Sequence, residues 1–117
     1  MAVTTITPTQ LVKGTQSADL PIASGTAIVA GNDHAIAYPQ EGKLLIILNN
    51  TFAGAKDFTV KAGNFLAAGQ GDLTIAMAQD DVRFLVIGSD RYKDSGGNVI
   101  INVAAATTGF IMAFYLP

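Results

Sequence analysis

The sequence contains no cysteine, which excludes disulfide bonds and thiolate zinc sites. This absence suits a protein that is made in a reducing cytoplasm. No apolar run approaches the roughly 18 residues of a membrane-spanning helix. The first residues, "MAVTTITPTQ", lack a basic region followed by an apolar stretch. We therefore expect neither a membrane anchor nor a signal peptide.

Charged residues are also scarce. They make up 14% of the 117 residues, against about 25% in an ordinary soluble domain. The seven lysines and arginines are scattered singly, so the chain has no basic patch for the phosphates of a nucleic acid. Half of the residues are hydrophobic, and 18 are alanine. Such a composition leaves apolar or small-residue surface, which is typical of proteins that bind a partner or form oligomers.

No helical pattern of ten or more residues is present, and short apolar segments alternate with turn signals. The predicted strands are Thr26–Ala30, Ala35–Tyr38, Lys43–Asn49, Asp57–Gly63, Asp72–Met77, Val82–Gly88, Arg91–Lys93, Asn98–Ala104 and Gly109–Leu116. This spacing predicts an all-β, single-domain antiparallel β-sandwich, jelly-roll-like in style. A chain of this length suits one domain, and we expect the sandwich to occupy residues 26–117.

Residues 1–25 are rich in Thr, Ser, Gln and Pro. Their large apolar residues before Leu20 are Val3, Ile6, Leu11 and Val12. This composition predicts an extended N-terminal arm with one or two short edge strands. The alternative is a disordered tail.

The segment "GKLLIILNN" contains five consecutive aliphatic residues, Leu44 to Leu48. In a strand, alternate residues point to opposite faces. Leu44, Ile46 and Leu48 then face the core, whereas Leu45 and Ile47 face a second layer. We expect that layer to be the arm or a sister subunit.

The sequence has few residues in arrangements that are typical of catalytic sites. His34 is the only histidine and lies in the turn-rich "GNDHA". It is interpreted as a solvated turn histidine, with a general base as the alternative. No serine lies in a Gly-x-Ser-x-Gly elbow. An enzyme is therefore the least favoured class.

Metal and phosphate sites are not indicated either. Four aspartates lie near turns: Asp80, Asp81, Asp90 and Asp94. They do not form the Asp-rich loop that calcium requires, so we interpret them as turn-forming and edge-protecting residues. Gly63, Gly69 and Gly71 precede a strand directly, which favours chain turns over a phosphate loop. We expect no metal and no cofactor.

Tyr38, Tyr92 and Tyr115 allow two interpretations. They could line up as a sugar-binding platform. Alternatively, their rings pack in the core or an interface with the hydroxyl at its rim. The absence of tryptophan counts against the sugar platform.

A longer pattern runs through "LLIILNNTFAGAKDFTVKAG", "GQGDLTIAM" and "VIGSDRYKDSGGNVIINV". Together with "TTITPTQLVKGT" near the start, it resembles small proteins encoded in tailed-phage structural gene clusters. These are associated with the phage head as decoration or cement proteins. The resemblance covers roughly residues 3–104. It departs at Asp90, where a more neutral residue is expected.

The resemblance implies a virion protein on the capsid exterior, synthesised in the bacterial host cytoplasm. Its partners would be the major capsid protein and itself, as a homotrimer, with no nucleic acid, membrane or small-molecule substrate. The resemblance further implies an extended N-terminal arm that contacts neighbouring capsid proteins, and in this chain that arm would be Ala2–Leu20. The partner-binding hypothesis names Val3, Ile6, Leu11, Val12, Leu45 and Ile47. The alternative function is a carbohydrate- or receptor-binding β-sandwich of a phage fibre or secreted protein.

Overall fold

A computed structural model describes residues 3–38, 43–65, 69–88 and 90–117. Ten strands lie in these residues: β1 Val3–Ile6, β2 Thr9–Gln10, β3 Thr26–Ala27, β4 Asp33–Ala37, β5 Leu44–Asn50, β6 Lys56–Val60, β7 Leu73–Met77, β8 Val82–Ile87, β9 Asn98–Val103 and β10 Gly109–Tyr115. The described helical segments are short 3-10 turns, including Ile22–Ser24 and Asp90–Tyr92. The predicted all-β sandwich is confirmed. Among the described residues, no helix is long and apolar enough to cross a membrane.

The strands form two sheets that pack face to face. Sheet 1 has the order β1-β4-β9-β6-β7. Sheet 2 has the order β2-β10-β5-β8, and β3 also pairs with β10. Most strands overlap the predicted segments, because strict alternation or continuous apolar runs mark them. Two end three residues earlier than predicted, β3 at Ala27 and β6 at Val60.

Both sheets are mixed, whereas the sequence predicts antiparallel pairing throughout. The two parallel pairings are β1 with β4 and β2 with β10. Both involve the N-terminal segment, which places β1 on an edge of sheet 1 and β2 on an edge of sheet 2. Residues 3–10 therefore contribute two short edge strands to the sandwich, as the composition of the N-terminal segment predicts.

The core lies between the sheets and is built from alternate residues of each strand. β5 contributes Leu44, Ile46 and Leu48, all fully buried. Phe58 and Val60 of β6 face them from sheet 1 and are also fully buried. The inward half of the aliphatic run therefore packs as the alternation predicts.

The predicted strand at Arg91–Lys93 is wrong. Asp90–Tyr92 is a 3-10 turn, and Lys93 makes an isolated bridge to Val99. The backbone of this segment bonds elsewhere, because the Arg91 and Lys93 carbonyls accept hydrogen bonds from Gly63 and Asn64. A Cβ atom at Gly63 would lie 1.8 Å from the Lys93 carbonyl oxygen, so the close approach requires glycine.

Candidate functional site

The outer face of sheet 2 is apolar over three strands. Its cross-strand rows are Val82–Asn49–Phe110, Phe84–Ile47–Met112 and Val86–Leu45–Phe114. Every side chain in these rows except Asn49 is apolar. A sheet with one wet face normally carries polar residues there, so this face differs from an ordinary solvent-facing surface.

The N-terminal segment covers one side of this face. Met112 and Phe114 of β10 are each only 7% exposed. The chain around Gly25 lies directly over β10, since a Cβ atom at Gly25 would be 2.6 Å from Met112 Cγ. The predicted cover by the arm is therefore present, but over β10 rather than over Leu45 and Ile47.

The other side of the face is open. Phe84 is 68% exposed, Val86 59% and Val82 40%. Leu45 and Ile47 stand beside them and are half-buried. We call these five side chains the β8 patch. Scattered exposed apolar residues are normal, whereas a contiguous group marks an interaction surface.

The β8 strand also leaves backbone groups unpaired. Sheet 2 ends at β8, and in the described part of the chain no strand lies on its outer edge. The Asn50 N–H donates to the Asp81 carbonyl at 3.1 Å, which makes these two opposite residues a hydrogen-bonded pair. Hydrogen-bonded pairs recur at every second residue, so the odd-numbered residues of β8 bond to β5. By the alternation of an antiparallel ladder, the N–H and C=O groups of Val82, Phe84 and Val86 point to the free edge.

This edge has little of the protection that exposed strands usually carry. Natural edges are short, charged or broken by proline. With six residues, β8 is the longest edge strand, against four in β1, two in β2 and five in β7. Its one charged residue, Arg83, pairs with Asp81 at 3.4 Å. The edge and the β8 patch therefore lie together on one exposed strand.

The outer face of sheet 1 has the opposite character. A row of five residues crosses it: Val3, Asp33, Asn102, Thr59 and Thr74. The Asn102 amide donates to the Asp33 carboxylate at 2.9 Å. The sandwich thus has one largely polar outer face and one apolar outer face.

The predicted partner-binding residues do not share one surface. Leu45 and Ile47 lie on sheet 2, whereas Val3 is 56% exposed on the opposite face of the sandwich. Ile6 is 2% exposed and belongs to the core. Val82, Phe84 and Val86 are not among the predicted partner-binding residues. The segment "VRFLVI" alternates, but it indicates an exposed apolar surface only when β8 is known to lie at the edge of a sheet.

The remaining two predicted residues lie in the segment after β2. Leu11 is half-buried, and its N–H donates to the Tyr115 carbonyl at 2.9 Å. Val12 is 60% exposed. Only Val12 of this pair therefore offers a substantial apolar surface to a partner.

The prediction of a solvated His34 is wrong, because β4 carries this side chain into the core. It is fully buried, and its Nε2 accepts a hydrogen bond from the Val29 N–H at 3.2 Å. Nδ1 has no hydrogen-bond partner among the described residues. Burial lowers the pKa of His34, and the Ile101 backbone and the Asp33 charge oppose part of this effect. In this conformation the His34 ring is enclosed by the core, so the geometry gives no support to a general-base role.

Asp81 and Asp94, which the sequence predicts at turns, accept backbone hydrogen bonds there. The Asp94 carboxylate accepts hydrogen bonds from the Gly96 and Asn98 N–H groups, each at 2.9 Å. The Asp81 carboxylate accepts one from the Ala78 N–H at 2.9 Å. No metal-binding cluster of His, Cys, Asp or Glu is found among the described residues. The side chain of Asp90 lies outside them.

The tyrosines do not form an exposed row. Tyr38 is fully buried, and its hydroxyl donates to the Ile87 carbonyl at 3.0 Å. Tyr92 is 9% exposed. The Tyr115 hydroxyl donates to the Ala37 carbonyl at 3.0 Å, and burial raises its pKa. These contacts confirm the core-packing interpretation.

No protein-family model, curated protein or solved structure matches this chain. The geometry of the sandwich is therefore the main guide to its function.

Proposed function

We propose that this protein is a non-enzymatic structural subunit of a phage virion that decorates the capsid exterior. It docks the outer face of sheet 2 on the major capsid protein and leaves the polar face of sheet 1 toward solvent. The observation that supports this proposal most directly is the β8 patch, where Phe84 is 68% exposed. The resemblance to decoration proteins supplies the identity of the partner.

The physical reason is that docking removes exposed apolar surface from water. Fully burying a Val, Leu, Ile or Phe side chain contributes about 1.5–3 kcal/mol relative to leaving it exposed. A subunit that binds only the assembled shell stabilises that shell by mass action. Few charges on the docking face keep its desolvation cost low.

The carbohydrate-binding alternative depends on the three tyrosines. Tyr38 and Tyr92 are buried, and the Tyr115 hydroxyl donates to the Ala37 carbonyl. No other feature of the described residues favours sugar binding. The trimeric state implied by the resemblance stays an expectation.

The test uses expanded phage heads that lack this protein, incubated with purified variants and pelleted. Phe84→Asp places a charge at the centre of the β8 patch and should weaken head binding at least about tenfold. Thr74→Asp is the matched control, since Thr74 is exposed on the outer face of sheet 1 on the edge strand β7 and lies opposite the uncharged Thr59. Equal binding by Phe84→Asp and the unmodified protein would overturn the proposal.

The arm hypothesis needs a separate variant. Deleting residues 2–19 is unsuitable, because it removes β1, β2 and the buried Ile6. Val12→Asp changes an exposed residue and leaves the strands intact. Reduced head binding by Val12→Asp would assign this segment to the capsid contact, and unchanged binding would restrict the contact to sheet 2.

A further inference from the structure

We propose that a second copy of this chain pairs with the free edge of β8. The two β8 strands would run antiparallel about a two-fold axis at Phe84. The joined sheet would then run β2-β10-β5-β8-β8-β5-β10-β2 across both copies. This inference concerns the protein in solution and does not depend on the proposed capsid function.

The backbone groups of β8 are oriented for pairing with a further strand. Val82, Phe84 and Val86 present their N–H and C=O groups to the open edge. In an antiparallel ladder, the two residues of a hydrogen-bonded pair each donate the N–H to the carbonyl of the other, which gives two hydrogen bonds per pair. Three such pairs would satisfy the unpaired groups of both copies.

The order of side chains in "VRFLV" is self-complementary. A two-fold axis at Phe84 places Phe84 of one copy opposite Phe84 of the second copy. It also places Val82 of each copy opposite Val86 of the other. A contact with two-fold symmetry requires this kind of self-complementarity. Aromatic and β-branched cross-strand pairs are among those that stabilise a sheet.

The neighbouring registers are poorer. Moving the axis to Arg83 would set the two guanidinium groups directly opposite each other, which is destabilising. Moving it to Leu85 would place Val82 opposite Gly88 and lose that apolar pair. The register centred on Phe84 is therefore favoured.

The two ends of β8 carry opposite charges. Asp80 lies in the turn before β8, has a positive φ of 64° and is exposed. At the other end, continuing the β5–β8 register places Lys43 opposite Gly88, and its Nζ donates to the Pro117 carbonyl at 3.0 Å. The antiparallel arrangement brings the acidic turn of one copy toward the lysine end of the second copy.

The size of the contact sets its expected strength. Stable interfaces bury at least about 1,000 Å², and a contact along one six-residue strand is small by that standard. We therefore expect a dimer that forms as the protein concentration rises. Its two β8 patches would join into one larger apolar surface.

Because the chain has no cysteine, single-cysteine variants test the register directly. Residues in a hydrogen-bonded antiparallel pair have Cα atoms about 5.5 Å apart, within the range of a disulfide. Phe84→Cys should form a disulfide dimer under mild oxidation. Thr74→Cys, on the exposed outer face of edge strand β7, is the matched control and should crosslink at least about tenfold more slowly.

A mixed experiment tests the pairing of the other residues. Val82→Cys and Val86→Cys should each crosslink poorly alone and should give a heterodimer when mixed. Light scattering of the unmodified protein should show monomer and dimer in a concentration-dependent equilibrium. Val82→Pro should shift it toward monomer, because Val82 begins the strand and its N–H points to the edge.

Three outcomes would overturn the proposal. One is a monomer at all concentrations. Another is a trimer that Val82→Pro leaves unchanged. The third is a Phe84→Cys variant that crosslinks no faster than Thr74→Cys.

Discussion

At the residue scale, His34 links a buried imidazole to the loop before β4. Its Nε2 accepts the Val29 N–H, so the neutral ring carries its proton on Nδ1. A proton on Nε2 would leave the His34 and Val29 N–H groups facing each other in the core, with no acceptor between them. The pattern around "GNDHA" predicts a turn, because glycine, asparagine and aspartate precede the histidine. Pairing of β4 with both β1 and β9 overrides that local signal.

The first prediction follows from the lowered pKa of His34. Well above pH 6.5, the ordinary pKa of histidine, the ring is neutral in both the folded and the unfolded chain, and pH has no effect through this group. Below 6.5 the unfolded chain binds the proton first, so the free energy of unfolding falls. The loss from pH 7.5 to 5.5 should be at most about 1.4 kcal/mol. Urea titrations at both values measure it, with His34→Gln as the control. An equally large change in the variant would assign the effect to other groups.

Asn50 is a second residue whose structural role the local sequence does not indicate. It is fully buried, and its amide nitrogen donates to carbonyls of Gly54, Met77 and Ala78. Its Oδ1 accepts the Phe52 N–H at 3.0 Å. This side chain therefore ties the end of β5 to the turn between the two sheets.

The second prediction is that Asn50→Asp lowers the free energy of unfolding by at least about 3 kcal/mol at pH 7. The change replaces a donor facing three carbonyls with a buried negative charge. Asn64→Asp is the control, because Asn64 is exposed and its Oδ1 already accepts the Ser95 N–H. That variant should stay within about 0.5 kcal/mol. Chemical denaturation of both variants provides the comparison, and similar losses would contradict the assigned role.

At the element scale, local sequence predicts strands well and their positions in the sheets poorly. The alternation in "DFTVKAG" and "DLTIAM" marks β6 and β7, and the aliphatic run marks β5. The edge position of β8 depends on non-local pairing that no local window contains. "VRFLVI" is apolar on both faces apart from Arg83, which is the pattern of a strand buried on both sides. For the same reason, the exposed half of the candidate site could not be predicted.

The third prediction concerns β1, which composition alone places in an arm. Ile6 is 2% exposed and packs in the core, whereas Val3 on the same strand is 56% exposed. Ile6→Ala should lower the free energy of unfolding by about 2–4 kcal/mol, because it leaves a cavity between the sheets. Val3→Ala should change it by less than about 0.5 kcal/mol. Equal, small effects in denaturant titrations would show that β1 is a detachable arm.

At the scale of the whole molecule, the two outer faces of the sandwich differ in polarity. The sequence predicts the partner surface through its low charge and through Leu45 and Ile47. The contrast between the faces emerges only after the strands are assigned to sheets. Polar residues of four strands then fall on sheet 1, and apolar residues of three strands fall on sheet 2.

The last prediction tests this contrast in the isolated protein. The double variant Phe84→Ser with Val86→Ser removes the two most exposed side chains of the β8 patch. It should elute earlier from a hydrophobic-interaction column loaded in ammonium sulfate, because excluded salts strengthen the burial of apolar surface. Its free energy of unfolding should fall by no more than about 2 kcal/mol, since both side chains already contact water and lose mainly strand propensity and cross-strand contacts.

Val3→Ser is the matched control for this column experiment. Val3 is 56% exposed, close to the 59% of Val86, but lies on the outer face of sheet 1. A small shift for Val3→Ser beside a large one for the double variant places the adhesive surface on sheet 2. If Val3→Ser shifts as far, exposed area alone decides retention, and the two faces do not differ in the way that docking through sheet 2 requires.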